Sequence, residues 1–152
     1  MSVKEIVIVR PKAWSMKTEL RVDGKVVATL SGSKSFGRKA VAKVGDKTYV
    51  LSSGGKNDLR SRLRESGELS DIMLMEHTGA AKGTITIGGS TYELSRSLDG
   101  PWEIRSAARG LIMTFIRDAK DLSQGRAVMD VQDDNALMLA LFTWFALRSM
   151  EC

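Results

Sequence analysis

The strongest constraint in this sequence is one long apolar run near its C-terminus, residues 136–147. Wound as an α-helix, the run places apolar side chains on every face and is interrupted only by Thr143. A helix that is apolar all round must be buried on every side, in a protein core or in lipid. Its length of about 18 Å falls short of the roughly 30 Å needed to cross a bilayer. The sequence therefore predicts a buried helix over residues 134–150, with Asp133 and Asp134 at its start and Arg148 in its last turn.

Upstream of this helix, residues 1–131 divide into short segments of alternating apolar and polar character. Turn signals such as Asp23-Gly24, Gly45-Asp46 and Gly88-Gly89 separate many of them, which predicts about twelve β-strands. Because the segments contain no amphipathic helix, an antiparallel meander is expected rather than a parallel sheet. The predicted strands cover residues 6–9, 16–22, 25–30, 38–44, 48–52, 58–64, 69–77, 83–87, 91–96, 102–107, 111–117 and 126–131.

An internal repeat supports the strand assignment. The segment from Val44 to Leu51 recurs at residues 87–94 with a shared Gly and a shared Thr-Tyr pair, and the segment 20–24 recurs at 63–67. Both pairs are offset by 43 residues, which indicates a unit of about four strands used at least twice. Tyr49 and Tyr92 should then occupy equivalent positions. A third, more diverged copy is predicted to begin near Trp102.

A sheet of about twelve strands can remove its edges by closing into a barrel, and such a barrel is too wide for its own side chains to fill. Strands of six or seven residues would make it roughly 16–20 Å tall, which matches the length of the apolar helix. The predicted fold is mainly β: a closed antiparallel barrel of about 12 strands that encloses the C-terminal helix. With 152 residues and 43% hydrophobic content, one domain over residues 1–152 is expected.

Twelve strands, repeated Gly-x-x-Thr-Tyr hairpins and a terminal hydrophobic helix over residues 136–150 resemble the tubby C-terminal-like superfamily. That superfamily includes tubby proteins, phospholipid scramblases and LURP-one-related proteins. The resemblance covers nearly the whole chain and concerns its architecture, so no functional residue is transferred from it. It implies a barrel around a central helix and, by analogy with the tubby proteins, binding of phosphoinositide head groups through basic surface residues. The small size is closest to a minimal bacterial member.

The charge of the chain is unevenly distributed along the sequence. Residues 1–64 carry 15 Lys/Arg against 5 Asp/Glu, a net charge of +10, whereas residues 65–152 carry 8 against 13, a net charge of −5. The total is +5. A difference of this size indicates a basic surface on the folded protein.

Alternation along two predicted strands places several cations on the outer face of the sheet. In segment 38–44, Ala40 and Ala42 alternate with lysines, and in segment 58–64 the arginines alternate with Ser61 and Leu63. The candidate binding residues are Lys39, Lys43, Lys47, Arg60, Arg62 and Arg64, with Lys56 as a further basic residue between them. They form either a solvated face or a site for anionic lipid head groups or an acidic protein partner.

Other functions lack the residues that they need. Aromatic residues make up 6% of the chain, and only Trp14 and Phe36 lie close in sequence to these cations apart from the inward Tyr49, so nucleic acid is not expected as a partner. One histidine, His77, and one cysteine, Cys152, cannot form a Cys/His zinc site, and a Ser-His-Asp triad would have to recruit that single histidine.

We therefore expect a non-enzymatic binding or scaffold domain without a metal or cofactor. The alternatives are a carrier of a small hydrophobic ligand and an enzyme with an unrecognised site. The sequence contains no secretory signal and no run of transmembrane length, so a cytoplasmic protein with peripheral attachment to a membrane is expected. The oligomeric state is left open.

Overall fold

The structure is a computed structural model that describes residues 4–12, 17–32, 39–53, 60–79, 81–96, 100–121, 123–130 and 133–150. In these residues the chain forms twelve β-strands followed by one α-helix. The strands are β1 (Lys4–Val9), β2 (Lys17–Val22), β3 (Lys25–Gly32), β4 (Lys39–Val44), β5 (Lys47–Ser53), β6 (Arg60–Glu65), β7 (Met73–Gly79), β8 (Lys82–Ile87), β9 (Ser90–Arg96), β10 (Trp102–Ser106), β11 (Gly110–Arg117) and β12 (Gly125–Met129). The helix is α1 (Ala136–Met150).

The strands form one closed antiparallel barrel in which each strand pairs with its neighbours in the sequence. The ring is closed by β1 and β12, which pair from Lys4 opposite Met129 to Ile8 opposite Gly125. Closure leaves no edge strand whose backbone groups need another partner. The predicted fold class is confirmed.

The helix lies in the core that the barrel encloses. Every residue from Leu139 to Leu147 is buried, and the largest fully buried side chains include Trp144, Phe142 and Phe145. They join one hydrophobic cluster with inward residues of the strands, such as Leu30 and Leu51. Because helix residues facing opposite directions are equally buried, the strands must surround α1 on all sides.

The two ends of the barrel can be distinguished by the helix. At one end, which we call the upper end, Asp133 just before α1 accepts a hydrogen bond from Tyr92 near the start of β9. At the other, the lower end, Trp144 lies against Gly125 at the start of β12. Because all neighbours are antiparallel, the even-numbered strands begin at the lower end and the odd-numbered strands finish there.

The 43-residue repeat corresponds to real structural units. β2 to β5 and β6 to β9 each span four neighbouring strands of the ring. Tyr49 and Tyr92 are the third residues of β5 and β9 and are both buried, and the turns that precede them have glycines with positive φ, Gly45 at 62° and Gly88 at 57°. The remaining four strands, β10 to β12 and β1, complete the ring as a third set, with its last member supplied by the N-terminal segment.

The main differences from the predicted elements concern where they begin. The strand predicted from residue 69 begins at Met73, since Glu68 and Ile72 form hydrogen-bonded turn contacts with β6. The helix begins at Ala136, because Asp133 organises a turn before it: its side chain accepts the Asn135 N–H at 2.8 Å and its carbonyl accepts the Ala136 N–H. Arg148 lies in the last turn, as predicted.

Candidate functional site

The outer face of β4 and β6 carries five of the predicted basic residues. Lys39, Lys43, Arg60 and Arg64 are exposed and Arg62 is partly exposed, and Val41 lies on the same outer face. The residues between them, Ala40, Ala42, Ser61 and Leu63, are buried and point into the barrel. We call Lys39, Lys43, Arg60, Arg62 and Arg64 the wall patch.

Strand β5 separates the two rows of the wall patch. Ser52 pairs with Lys39 on one side and with Arg62 on the other, and Val50 pairs with Val41 and with Arg64. Adjacent strands are about 4.8 Å apart, so the backbones of Lys39 and Arg62 are roughly 10 Å apart across the barrel surface. The fold therefore brings these cations onto one continuous face.

Two other predicted basic residues are not part of this face. Lys47 is the first residue of β5, opposite Val44 beside the turn, and lies at the upper end of the barrel. Lys56 lies outside the described residues, as do Trp14 and Phe36.

Acidic residues of the next strand and loop partly offset the wall patch. Arg62 forms an ion pair with Asp71 at 3.4 Å, and Arg60 pairs across the sheet with Glu76. Ion pairs at this exposure are worth little to stability, but they reduce the net positive charge on the β6 side. Lys39 and Lys43 face Ser52 and Thr48 instead.

A contrast of charge runs along the barrel axis in the described residues. Each end consists of the first or last residue of every strand together with the described connections and the end of the helix that lies there. At the lower end the cations are Arg10, Lys12, Lys17, Lys39, Arg60, Lys82, Arg96, Arg117, Lys120 and Arg148, and the acidic residues are Asp118 and Asp121. At the upper end the acidic residues are Asp23, Asp46, Glu65, Glu68, Asp71, Asp130, Asp133 and Asp134, and the cations are Lys4, Lys25, Lys47 and Arg109. The lower end is therefore basic and the upper end is acidic.

Arginines also lie near the centre of the lower end, where α1 finishes. The Arg117 guanidinium lies 5.5 Å from the centre of the Trp144 ring, a cation–π arrangement. Partial burial and, to a smaller extent, the nearby Arg148 lower the pKa of Arg117. Hydrogen bonds from the Ser123 hydroxyl and backbone N–H lower the pKa of Asp121, with smaller contributions from Arg10 and Arg148.

The concentration of cations at the lower end was missed by the sequence prediction, although the sequence contains a signal for it. Lys17, Lys39, Arg60 and Lys82 are the first residues of β2, β4, β6 and β8, and they follow one another at intervals of 21 or 22 residues. That interval is half the repeat length, because one repeat contains two hairpins. Cations at the same position of these four successive hairpins must lie at the same end of an antiparallel barrel.

The upper end contains a polar network that fixes the start of the helix. The Asp133 carboxylate is nearly buried, and it accepts hydrogen bonds from the Tyr92 hydroxyl at 2.9 Å and from Arg109 at 3.5 Å. The Asn135 side chain donates to the Tyr92 hydroxyl at 3.1 Å. Burial is the main cause that raises the pKa of Tyr92, which therefore stays protonated as the donor.

The structure adds little that points to catalysis or metal binding. His77 is half-buried near the end of β7, and this burial lowers its pKa. Among the described residues, no group of three or more His, Cys, Asp or Glu side chains is placed to hold a metal ion. Within the same residues, no helix combines the length and the apolar character needed to cross a membrane.

Comparison with known proteins establishes a shared fold. No protein-family model matches the sequence, and no curated protein matches it. Among solved structures, the chain is similar to an X-ray structure of a protein from Arabidopsis thaliana, with a TM-score of 0.61 and 12% sequence identity. The likeness covers 91% of this chain and 86% of that chain. It extends over nearly the whole barrel, and at this identity it concerns the fold alone.

Proposed function

We propose that the protein is a non-enzymatic binding domain that attaches to anionic lipid head groups at a membrane surface. We further propose that it belongs to the tubby C-terminal-like superfamily. The closed twelve-strand barrel with a buried C-terminal helix is the architecture that this resemblance implies. The fold shared with the Arabidopsis protein supports the architectural part of this resemblance.

The observation that carries the function is the convergence of the wall patch. Alternation and register place Lys39, Lys43, Arg60, Arg62 and Arg64 on one outward face, although they come from two strands separated by β5. Near an anionic bilayer, each Lys or Arg is worth about 1 kcal/mol of attraction. Several together are enough for reversible attachment, and the long side chains reach head groups without any change in the backbone.

The two alternatives fit the structure less well. A carrier of a hydrophobic ligand needs interior space, but α1 occupies the interior and is buried on every face from Leu139 to Leu147. An enzyme needs a nucleophile, acid or base held beside a partner. His77, the one histidine, has a pKa lowered by burial and is paired with Gly83 across the sheet, which is consistent with a structural role.

Peripheral attachment to the cytoplasmic face of a membrane follows from this proposal. The inner leaflet is rich in anionic lipid, and its negative surface potential attracts basic proteins within about one Debye length, roughly 8 Å at physiological salt. A binding surface built from exposed cations is therefore matched to that leaflet.

The proposal is tested by flotation of the protein with vesicles of phosphatidylcholine alone and of phosphatidylcholine with phosphatidylserine or a phosphoinositide. We expect binding only to anionic vesicles, with a steep loss as salt is raised. Arg60→Glu, Arg62→Glu and Arg64→Glu together should abolish flotation. The melting temperature should fall only modestly: exposed ion pairs contribute little to stability, although the reversal places one carboxylate beside Asp71 and another opposite Glu76.

A charge-matched control variant is Lys25→Glu, Lys47→Glu and Arg105→Glu, which reverses three exposed cations near the upper end, outside the wall patch. It should retain at least most of the binding. If the unaltered protein fails to float with anionic vesicles at low salt, lipid is not the ligand of this surface. An acidic protein would then be the remaining partner for the same charges.

A further inference from the structure

We propose that the barrel stands on the bilayer with its lower end facing the lipid, so that the ring of cations at that end, and not the length of the wall, is the contact surface. This orientation rests on the proposed function and specifies how the surface is used. Lys39 and Arg60 belong both to the wall patch and to the lower end.

The opposite charge of the two ends favours this orientation. The described residues of the lower end contain many more cations than acids, whereas those of the upper end contain more acids than cations. In the field of an anionic surface the lower end is attracted and the upper end is repelled, so both effects turn the molecule the same way. A protein with a uniformly basic surface would lack this preference.

The shape of the barrel favours the lower end over the wall. Twelve strands about 4.8 Å apart form a cylinder with a radius of roughly 12 Å. A flat bilayer can touch such a curved wall along about three strands, and charges farther round recede from it. The described cations of the lower end lie at strand ends, in the connections beside them or at the end of α1, so a bilayer across that end can meet them together.

The wall patch is also too long to act as a whole in this orientation. Lys43 and Arg64 are each four residues from the lower-end residue of their strand, Lys39 and Arg60. Four residues span about 13 Å along a strand, or roughly 10 Å along the axis of a tilted barrel. That distance exceeds the Debye length of about 8 Å, so Lys43 and Arg64 should contribute little.

The centre of the lower end is compatible with an anionic surface as well. The C-terminal end of a helix carries partial negative charge, which by itself would repel lipid phosphates. Here Arg148 lies in the last turn of α1, and Arg117 lies beside it over the Trp144 ring. These cations offset the helix end, so the centre does not interrupt the basic surface.

The test compares two double charge reversals of equal charge change, one at the lower end and one on the upper part of the wall. Lys82→Glu with Lys120→Glu changes exposed residues of the lower end outside the wall patch: Lys82 begins β8, two strands from β6, and Lys120 lies between β11 and β12, far round the ring. Lys43→Glu with Arg64→Glu changes the upper part of the wall patch. We would measure partitioning onto vesicles of phosphatidylcholine and phosphatidylserine at physiological salt.

We expect the lower-end variant to lose about a hundredfold or more in partitioning, because each neutralised charge is worth roughly fivefold and each substitution removes two charges. The wall variant should lose less than about tenfold, because screening over roughly 10 Å leaves only about a third of the attraction of each charge. The reverse order, with the wall variant losing more, would overturn the end-on orientation while leaving lipid binding intact. Failure of the unaltered protein to bind would instead remove the proposed function itself.

Discussion

The two ends of the barrel differ in both charge and construction. At the upper end, two-residue turns such as Gly45-Asp46 make three of the five strand connections, and the nearly buried Asp133 links the start of α1 to the barrel wall through Tyr92 and Arg109. At the lower end, β2, β4, β6 and β8 begin with a Lys or Arg, and β9 and β11 finish with an Arg. The contacts that fix the start of the helix and the charges proposed to bind lipid therefore lie at opposite ends, so they can be altered separately.

The helix runs from the upper end to the lower end, and a variant that disrupts it should not fold. Leu141 is fully buried in the middle of α1. Leu141→Asp places a carboxylate in the closed core, where an unpaired charge costs more than a domain of this size can lose. We expect no cooperative melting transition in calorimetry or circular dichroism, and the same result for a chain that ends at residue 131. A truncated chain that melts cooperatively would show that the helix is not the core of the barrel.

A second test addresses packing at the lower end without changing charge. At Gly125 a Cβ atom would lie 2.4 Å from the Ile116 carbonyl oxygen and 3.2 Å from the Trp144 ring. Gly125→Ala should therefore destabilise the fold by about 3 kcal/mol, since backbone has to move. Gly89→Ala, at an open position of an upper turn, is the control and should cost much less. Equal costs in urea unfolding would mean that β11 and α1 do not pack this closely around Gly125.

A third test addresses the network at the upper end. Asp133→Ala removes the acceptor for Tyr92, Arg109 and the Asn135 N–H, and we expect a loss of about 2 kcal/mol in the free energy of unfolding. Its exposed neighbour supplies the control, because Asp134→Ala should change stability by less than about 0.5 kcal/mol.

Neither aspartate variant should weaken vesicle binding, since the upper end faces away from the lipid. A large loss of binding by Asp133→Ala, measured at a temperature where the variant is fully folded, would show that the two ends are not separable.

The sequence was sufficient for the fold because its strongest signals are local. Alternation and turn dipeptides predicted each strand, and a helix apolar on every face required an enclosure. The first residue of an element was predicted less accurately where a side chain organises the backbone. Asp133 accepts the Asn135 N–H, so α1 begins at Ala136, and no periodicity in the sequence indicates that contact. Local bulges, such as the register shift between Ile104 and Arg105, also depend on packing across strands.

The candidate site was only partly predictable. Alternation correctly placed the side chains of Lys39 and Arg62 outside, because one face of each strand is buried. It could not separate Lys47, which faces the upper end, from the others, since that distinction needs the direction of each strand in the ring. For the same reason, the concentration of cations at the lower end was not predicted from the sequence.

The orientation of the bound barrel is the central claim, and site-specific fluorescence measures it most directly. Two exposed alanines lie in the turns at opposite ends of β11: Ala107 at the upper end and Ala119 at the lower end. In a Cys152→Ser background, Ala107→Cys and Ala119→Cys would each carry an environment-sensitive dye, with Val41→Cys reporting on the wall. On adding anionic vesicles, we predict a blue shift and shielding from aqueous quencher for the dye at residue 119, and no change at residue 107. A larger change at residue 107 or 41 than at residue 119 would contradict the account.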